Sequence, residues 1–97
     1  MIESFRGRGT SDVFDGADTK AARKVCPREL WSVAGRRLDL LNRVVRLDEL
    51  NRPPGNRLER LRGDRAGQWS IRINDQYRVC FRWENGHADE VEITDYH

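Results

Sequence analysis

The apolar positions change their spacing once along this chain. In "PRELWSVAGRRLDLLNRVVRLDEL", Trp31, Ala34, Leu38, Leu41 and Val45 recur at intervals of three, four, three and four. That spacing lines one face of a helix and predicts a single long amphipathic helix behind Pro27. Proline suits the first helical position, where its missing N–H is no loss. Arg36, Arg37, Asp39, Asn42, Arg43 and Arg46 fall mostly on the other face. Upstream, "MIESFRG" reads as a short strand, and Thr10 or Ser11 is placed to cap a short helix carrying Val13 and Phe14. "TKAARKV" extends helical structure. "NRPPGN" ends it, because Pro54 disfavours the helical region for Pro53 and Gly55 permits a turn.

Beyond that turn the period falls from about 3.6 to 2. Trp69, Ile71 and Ile73 alternate with Gln68, Ser70, Arg72 and Asn74, and Tyr77, Val79, Phe81 and Trp83 alternate with Arg78, Cys80 and Arg82. Asn74-Asp75-Gln76 makes a hairpin connection and "ENG" the next turn. "HADEVEITDYH" supplies a third strand with Val91 and Ile93 inward, and "RLERLRG" a further short one. The predicted architecture is α+β in two layers: N-terminal helices packed on one face of a mainly antiparallel sheet, in one domain spanning 1–97. The other sheet face would carry Gln68, Ser70, Arg72, Arg78 and Arg82 as an open polar surface.

Composition narrows the class. Ninety-seven residues, 37% hydrophobic with eight aromatics, support one modest core. No stretch suits a membrane span or a signal peptide, and two cysteines without a CxxC pair suggest neither a disulfide framework nor zinc. A cytoplasmic protein with reduced thiols is the expectation. The net charge is only +2, but residues 57–82 hold seven arginines against Glu59, Asp64 and Asp75, whereas residues 83–97 hold five carboxylates and no Lys or Arg. Cross-strand charge pairing is the plain alternative reading of this split. The exclusive use of arginine there points to a phosphate-bearing partner, since guanidinium forks onto phosphate as an ammonium cannot.

Glycine-rich phosphate loops, nucleophile elbows and metal-ligand clusters are missing from the sequence. His87 reads as a solvated turn residue. What remains is metal-free acid–base work on a phosphodiester, weighed against a plain binding surface. RNA brings its own nucleophile, the 2′-hydroxyl, so the protein needs a base, an acid and cations around the phosphate. "DYH", residues 95–97, offers His97 as acid or base near neutrality, Asp95 as its partner or the base, and Tyr96 to stack on an unpaired base. Arg62, Arg78 and Arg82 form the electrostatic part. Strict alternation places Asp95 with Val91 and Ile93 on the core side, unless a bulge or an early strand end near Thr94 re-aims it.

"NRPPGNRLERLRGDRAGQWSIRINDQYRVCFRW", the closing "VEITDYH" and the opening "MIESFRG" together resemble HigB-type toxins of bacterial toxin–antitoxin systems, within the RelE superfamily. The likeness covers most of the chain and is densest from Pro53 onward. It implies a RelE-like fold and ribosome-dependent cleavage of mRNA in the decoding site, with no metal or other cofactor. It further implies neutralisation by a HigA-type helix-turn-helix antitoxin, with operator DNA reached only through that complex. By the same likeness Asp95, Tyr96 and His97 match the family's essential end, and Arg78 matches its sheet arginine. Arg62 stands where some members have lysine. Glu59 stands where members can carry histidine, which would shift the proton roles toward His97 and leave Glu59 as a second carrier. Arg65, Arg72 and Arg82 are expected to contact mRNA or ribosomal RNA. The rival class is a non-catalytic protein of the same fold that serves as antitoxin partner and co-repressor. Direct DNA binding is weaker, since no helix-turn-helix is visible.

Overall fold

A computed structural model describes residues 1–52 and 54–95. Three helices, α1 (Arg8–Asp15), α2 (Lys20–Val25) and α3 (Trp31–Arg43), precede four strands, β1 (Glu59–Arg60), β2 (Trp69–Arg72), β3 (Tyr77–Glu84) and β4 (His87–Asp95). The strands form one antiparallel sheet in the order β1-β2-β3-β4. This is the expected two-layer α+β arrangement. Ala34, Leu38 and Leu41 of α3 are fully buried against Ile71, Val79, Phe81, Val91 and Ile93 of the sheet. Each such aliphatic or aromatic side chain contributes about 1.5–3 kcal/mol by leaving water.

The long helix is shorter than its pattern predicts. It stops at Arg43, and Val44 turns to extended backbone (φ −71°, ψ 147°). Val44 therefore enters the core at 6% exposure, while Val45, expected on the apolar stripe, is 71% exposed. The Glu49 carboxylate explains the break: it accepts from the N–H groups of Val45 (3.2 Å) and Arg46 (2.8 Å) and starts a separate 3-10 turn, Leu47–Asn51. That hydrogen bonding satisfies N–H groups a continuous helix would have used otherwise. Pro53, expected to help end this region, lies outside the described residues.

The N-terminus differs as well. α1 is entered from Gly7, with no side-chain cap, and Thr10 sits inside the helix rather than before it. Its hydroxyl does other work: buried, it accepts from the Ile93 N–H at 2.9 Å and ties α1 to β4. α2 is a separate helix capped by Thr19, whose Oγ1 accepts from Ala22 N at 3.0 Å. "MIESFRG" forms two isolated parallel bridges to β4, Ile2 to Ala88 and Phe5 to Val91. The hairpin connection is built as expected around Asn74, whose Oδ1 accepts from Gln76 N (2.9 Å) and Tyr77 N (2.7 Å). Asn85 (φ 51°) and Gly86 (φ 80°) make the β3–β4 turn in the left-handed region such hairpins favour.

A β-bulge interrupts the β3–β4 ladder. Cys80 faces Glu92 and Arg82 faces Asp89, so Phe81 meets both Glu90 and Val91. Glu90 takes φ 51°, a conformation that costs a residue with a Cβ about 1–3 kcal/mol. Before the bulge the even-numbered Ala88 is buried; after it the odd-numbered Val91 and Ile93 are. Arg82 Nε at 2.6 Å from Glu90 Oε2, and Ser4 Oγ accepting from Glu90 N at 2.9 Å, hold the strained residue.

Thr10→Val keeps the shape of the side chain but leaves the buried Ile93 N–H without an acceptor. It is expected to lower unfolding stability by about 1–3 kcal/mol in urea titration, with Thr10→Ser retaining most of it.

Candidate functional site

β2, β3 and β4 turn Ser70, Arg72, Arg78, Cys80, Glu92 and Thr94 to the face away from the helices, in register with one another: Glu59, Ser70, Cys80 and Glu92 form one row, Arg72, Arg78 and Thr94 the next. Sequence alternation assigned this face correctly, but the face is not open. The segment from Leu61 to Gln68 folds over it, leaving Ser70 and Cys80 fully buried and Gln68 at 5% exposure. Leu61 N donates to Gln68 O at 2.9 Å and closes the segment. Arg65 braces it from outside, with Nη1 2.7 Å from Glu92 Oε1 and 3.0 Å from Gln68 Oε1.

Arg78 is the fixed cation of the site. Its Nε donates to Ser70 Oγ at 2.7 Å and its Nη2 to the Arg57 carbonyl at 2.6 Å, while Nη1 lies 3.7 Å from Glu59 Oε1. Its side chain is 12% exposed, that of Glu59 52%. Arg57 reaches Arg78 by adopting φ 47°, so the carbonyl is delivered by a residue in the left-handed region. Two of the five guanidinium N–H groups are thus committed internally, and the plane is locked with its remaining donors toward Glu59. Ser70 and the Arg57 carbonyl were not anticipated as site groups. The alternating pattern had placed Ser70 on this face; nothing local in the sequence announces the backbone turn at Arg57.

The other arginines are more committed than their charge suggested. Arg82 pairs with Glu90, and its Nη1 lies so close over Gly67 that a Cβ there would sit 2.9 Å away. Arg72 pairs with Asp75 at 2.6 Å, and that hydrogen bond holds the Asp75 carboxyl below its usual range. Arg62 is exposed, and among the described residues its side chain makes no hydrogen bond or ion pair. Asp95 stands opposite Tyr77, on the helix-side face as alternation had it, and accepts from Gln76 Nε2 at 3.1 Å. Burial, then the Asp95 charge, raises the Tyr77 phenol. The structure therefore brings Glu59 to Arg78 but sets Asp95 on the opposite side of its strand. Tyr96 and His97 lie outside the described residues. His87 opens β4, half-buried, with Nδ1 3.1 Å from Glu3 Oε1, rather than standing solvated in the turn. A groove of about 410 Å³ along α3, lined by Arg36, Asp39, Asn42 and Arg43, lies in the helix layer and away from Arg78.

Residues 3–97 match the family model described as the RelE-like toxin of the type II toxin–antitoxin system HigB. The chain belongs to the HigB-like toxin family. It is 32% identical over 97 residues to the Endoribonuclease HigB of Proteus vulgaris, covering all of both chains. It is 38% identical over 65 residues to Toxin HigB-1 of Vibrio cholerae, covering 67% of this chain and 68% of that one. Among solved structures it resembles a chain of the heterotetrameric YoeB–YefM toxin–antitoxin complex from Staphylococcus aureus, with a TM-score of 0.54 and 14% identity over 100% of this chain and 98% of that one. That likeness shows the RelE-like fold. The HigB-like toxin thus presents a locked arginine on the polar face of its sheet.

Ser70→Ala removes the acceptor of Arg78 Nε and is expected to cost about 1–3 kcal/mol by chemical denaturation, because a mostly buried charged donor loses its partner. Burial pushes the Cys80 thiol up, against Thr94 and the Arg65 charge, and pushes the Cys26 thiol from 9.0 to about 11. Above pH 9.0 the unfolded chain releases thiol protons that the folded chain keeps. Stability is then complete below that pH and falls as pH rises toward about 11. Cys26→Ala should flatten this decline in denaturant titrations at alkaline pH.

Proposed function

We propose that this HigB-like toxin is a metal-independent endoribonuclease that cleaves mRNA in the decoding site of translating ribosomes, acting in the cytoplasm. The observation that carries the reading is Arg78, a guanidinium held by Ser70 and the Arg57 carbonyl with its remaining donors turned to the rim of the site. A cation that needs no rearrangement is what stabilises charge developing on a phosphodiester. The full-length similarity to an Endoribonuclease HigB supports the same chemistry.

In the proposed reaction the substrate's 2′-oxygen attacks the adjacent phosphorus. The 2′-O–P bond forms and the P–O5′ bond breaks, giving a 2′,3′-cyclic phosphate and a 5′-hydroxyl. The 2′ proton goes to a base and the leaving 5′-oxygen receives one from an acid. His97 serves as acid or base, with Asp95, on the side of β4 away from Arg78, as its partner; Glu59, beside Arg78, is the second carrier, and Tyr96 stacks on a nucleotide. Arg78 and Arg62 hold the phosphate. Arg72 and Arg82 face RNA from the sheet and Arg65 from the covering segment, where they can exchange their present carboxylate partners for phosphates. A HigA-type helix-turn-helix antitoxin is the proposed protein partner, and operator DNA is met only through that complex.

The test is primer extension on mRNA programmed into translating ribosomes. Wild type should create new 5′ ends in the decoding site; without ribosomes none should appear. Arg78→Ala and His97→Ala, shown by circular dichroism to be folded, should each lower cleavage by about 10²-fold or more. A folded wild type that never cleaves would sink the nuclease reading and favour the co-repressor.

A further inference from the structure

The acceptors around Arg78 are of two kinds. Ser70 Oγ and the Arg57 carbonyl are uncharged and make short bonds of 2.7 and 2.6 Å, on a residue whose side chain is 12% exposed. Glu59 is charged, half-exposed, and stands at 3.7 Å, within ion-pair range but beyond a hydrogen bond. The first two set the direction of the guanidinium. The third sits on the outward side, where Nη1 faces it. β1, which carries Glu59, is two residues long and exposed at both, so its side chains are lightly held.

We propose that Glu59 is a built-in competitor for the phosphate position: its carboxylate occupies the outward side of Arg78 at rest and must swing aside for a phosphodiester to bind. This rests on the nuclease reading for the identity of the anion, and gives Glu59 a role in setting affinity that is separate from carrying a proton. The geometry makes the competition one-sided. Arg78 cannot rotate to serve both anions, because its Nε and one Nη2 hydrogen are fixed. Glu59 can leave, because water solvates half of it. The strand thus holds substrate affinity below what the bare cation would give.

The probe is a fluorescein-labelled single strand of 2′-deoxynucleotides, which carries phosphodiesters but lacks the attacking hydroxyl and so is not cleaved. Binding to the full chain is followed by fluorescence anisotropy at low salt. Two unit charges at this distance in water correspond to about fivefold in affinity, so Glu59→Gln and Glu59→Ala should each lower Kd by about that factor. Glu84→Gln, which removes an exposed carboxylate from the far end of β3, should tighten binding less. In an Arg78→Gln background Glu59→Gln should change nothing. Equal tightening by Glu84→Gln, a persistent Glu59 effect without Arg78, or no measurable binding by any variant overturns the proposal. Ribosome-dependent cleavage measured alongside separates the two readings. Cleavage without the Glu59 effect removes only the competitor. The Glu59 effect without cleavage removes only the nuclease.

Discussion

Every part of this fold hangs on the need of β4 for partners along both edges. A buried strand cannot leave its N–H and carbonyl groups unpaired without losing a hydrogen bond's worth of free energy at each. β3 satisfies one edge. The other is met piecemeal: Ala88 N donates to Met1 O (2.9 Å), Val91 N to Ser4 O (3.0 Å) and Ile93 N to the Thr10 hydroxyl (2.9 Å). Three short stretches from the first ten residues are thereby pinned to the last strand. α1 follows because Thr10 is part of it, and its packing against α2 and α3 closes the helix layer over the apolar side of the sheet. With that side sealed, the polar side is free to be built for charge.

What the polar side contains is a cation already spoken for. Arg78 is oriented by neutral acceptors and balanced by an acidic one, and the neighbouring Arg65, Arg72 and Arg82 each have a carboxylate at 2.6–2.7 Å. Such pairs contribute little to stability where they are exposed. Their effect is on where positive charge is available. A surface of seven arginines would bind any polyanion indiscriminately. One whose arginines are mostly neutralised in place binds where geometry lets a phosphate outbid the local carboxylate. The face is therefore better described as a set of ion pairs than as a basic patch.

The sheet was legible because period-two alternation reports directly which side chains face the core, and Trp69, Ile71, Val79, Phe81, Val91 and Ile93 all obey it. Four things were not. Thr10 looked like a helix cap because a hydroxyl before an apolar pair usually is; only the arrival of Ile93 from the far end of the chain reveals its other use. Val45 looked like stripe because periodicity cannot see the Glu49 carboxylate that takes the Val45 and Arg46 N–H groups beyond a helix ending at Arg43. The polar face looked open because alternation says which way a residue points and nothing of what lies over it. Arg57 gave no sign, since a left-handed arginine is imposed by its surroundings. Arginine content drew attention to the polar face, whereas the locking of Arg78 depends on Ser70 and Arg57, which only the folded chain brings together.

The bulge at Glu90 has a consequence for how this strand can change over generations. Because it resets the alternation, the two halves of β4 answer to different neighbours: Ala88 and its flanks to the N-terminal segment, Ile93 through Asp95 to α1 and the β2–β3 hairpin. Loss of the single extra residue would exchange the two sides of residues 91–95, sending Thr94 inward and Asp95 toward the arginines. An insertion or deletion of one codon here would turn residues 91–95 inside out without altering any of their letters.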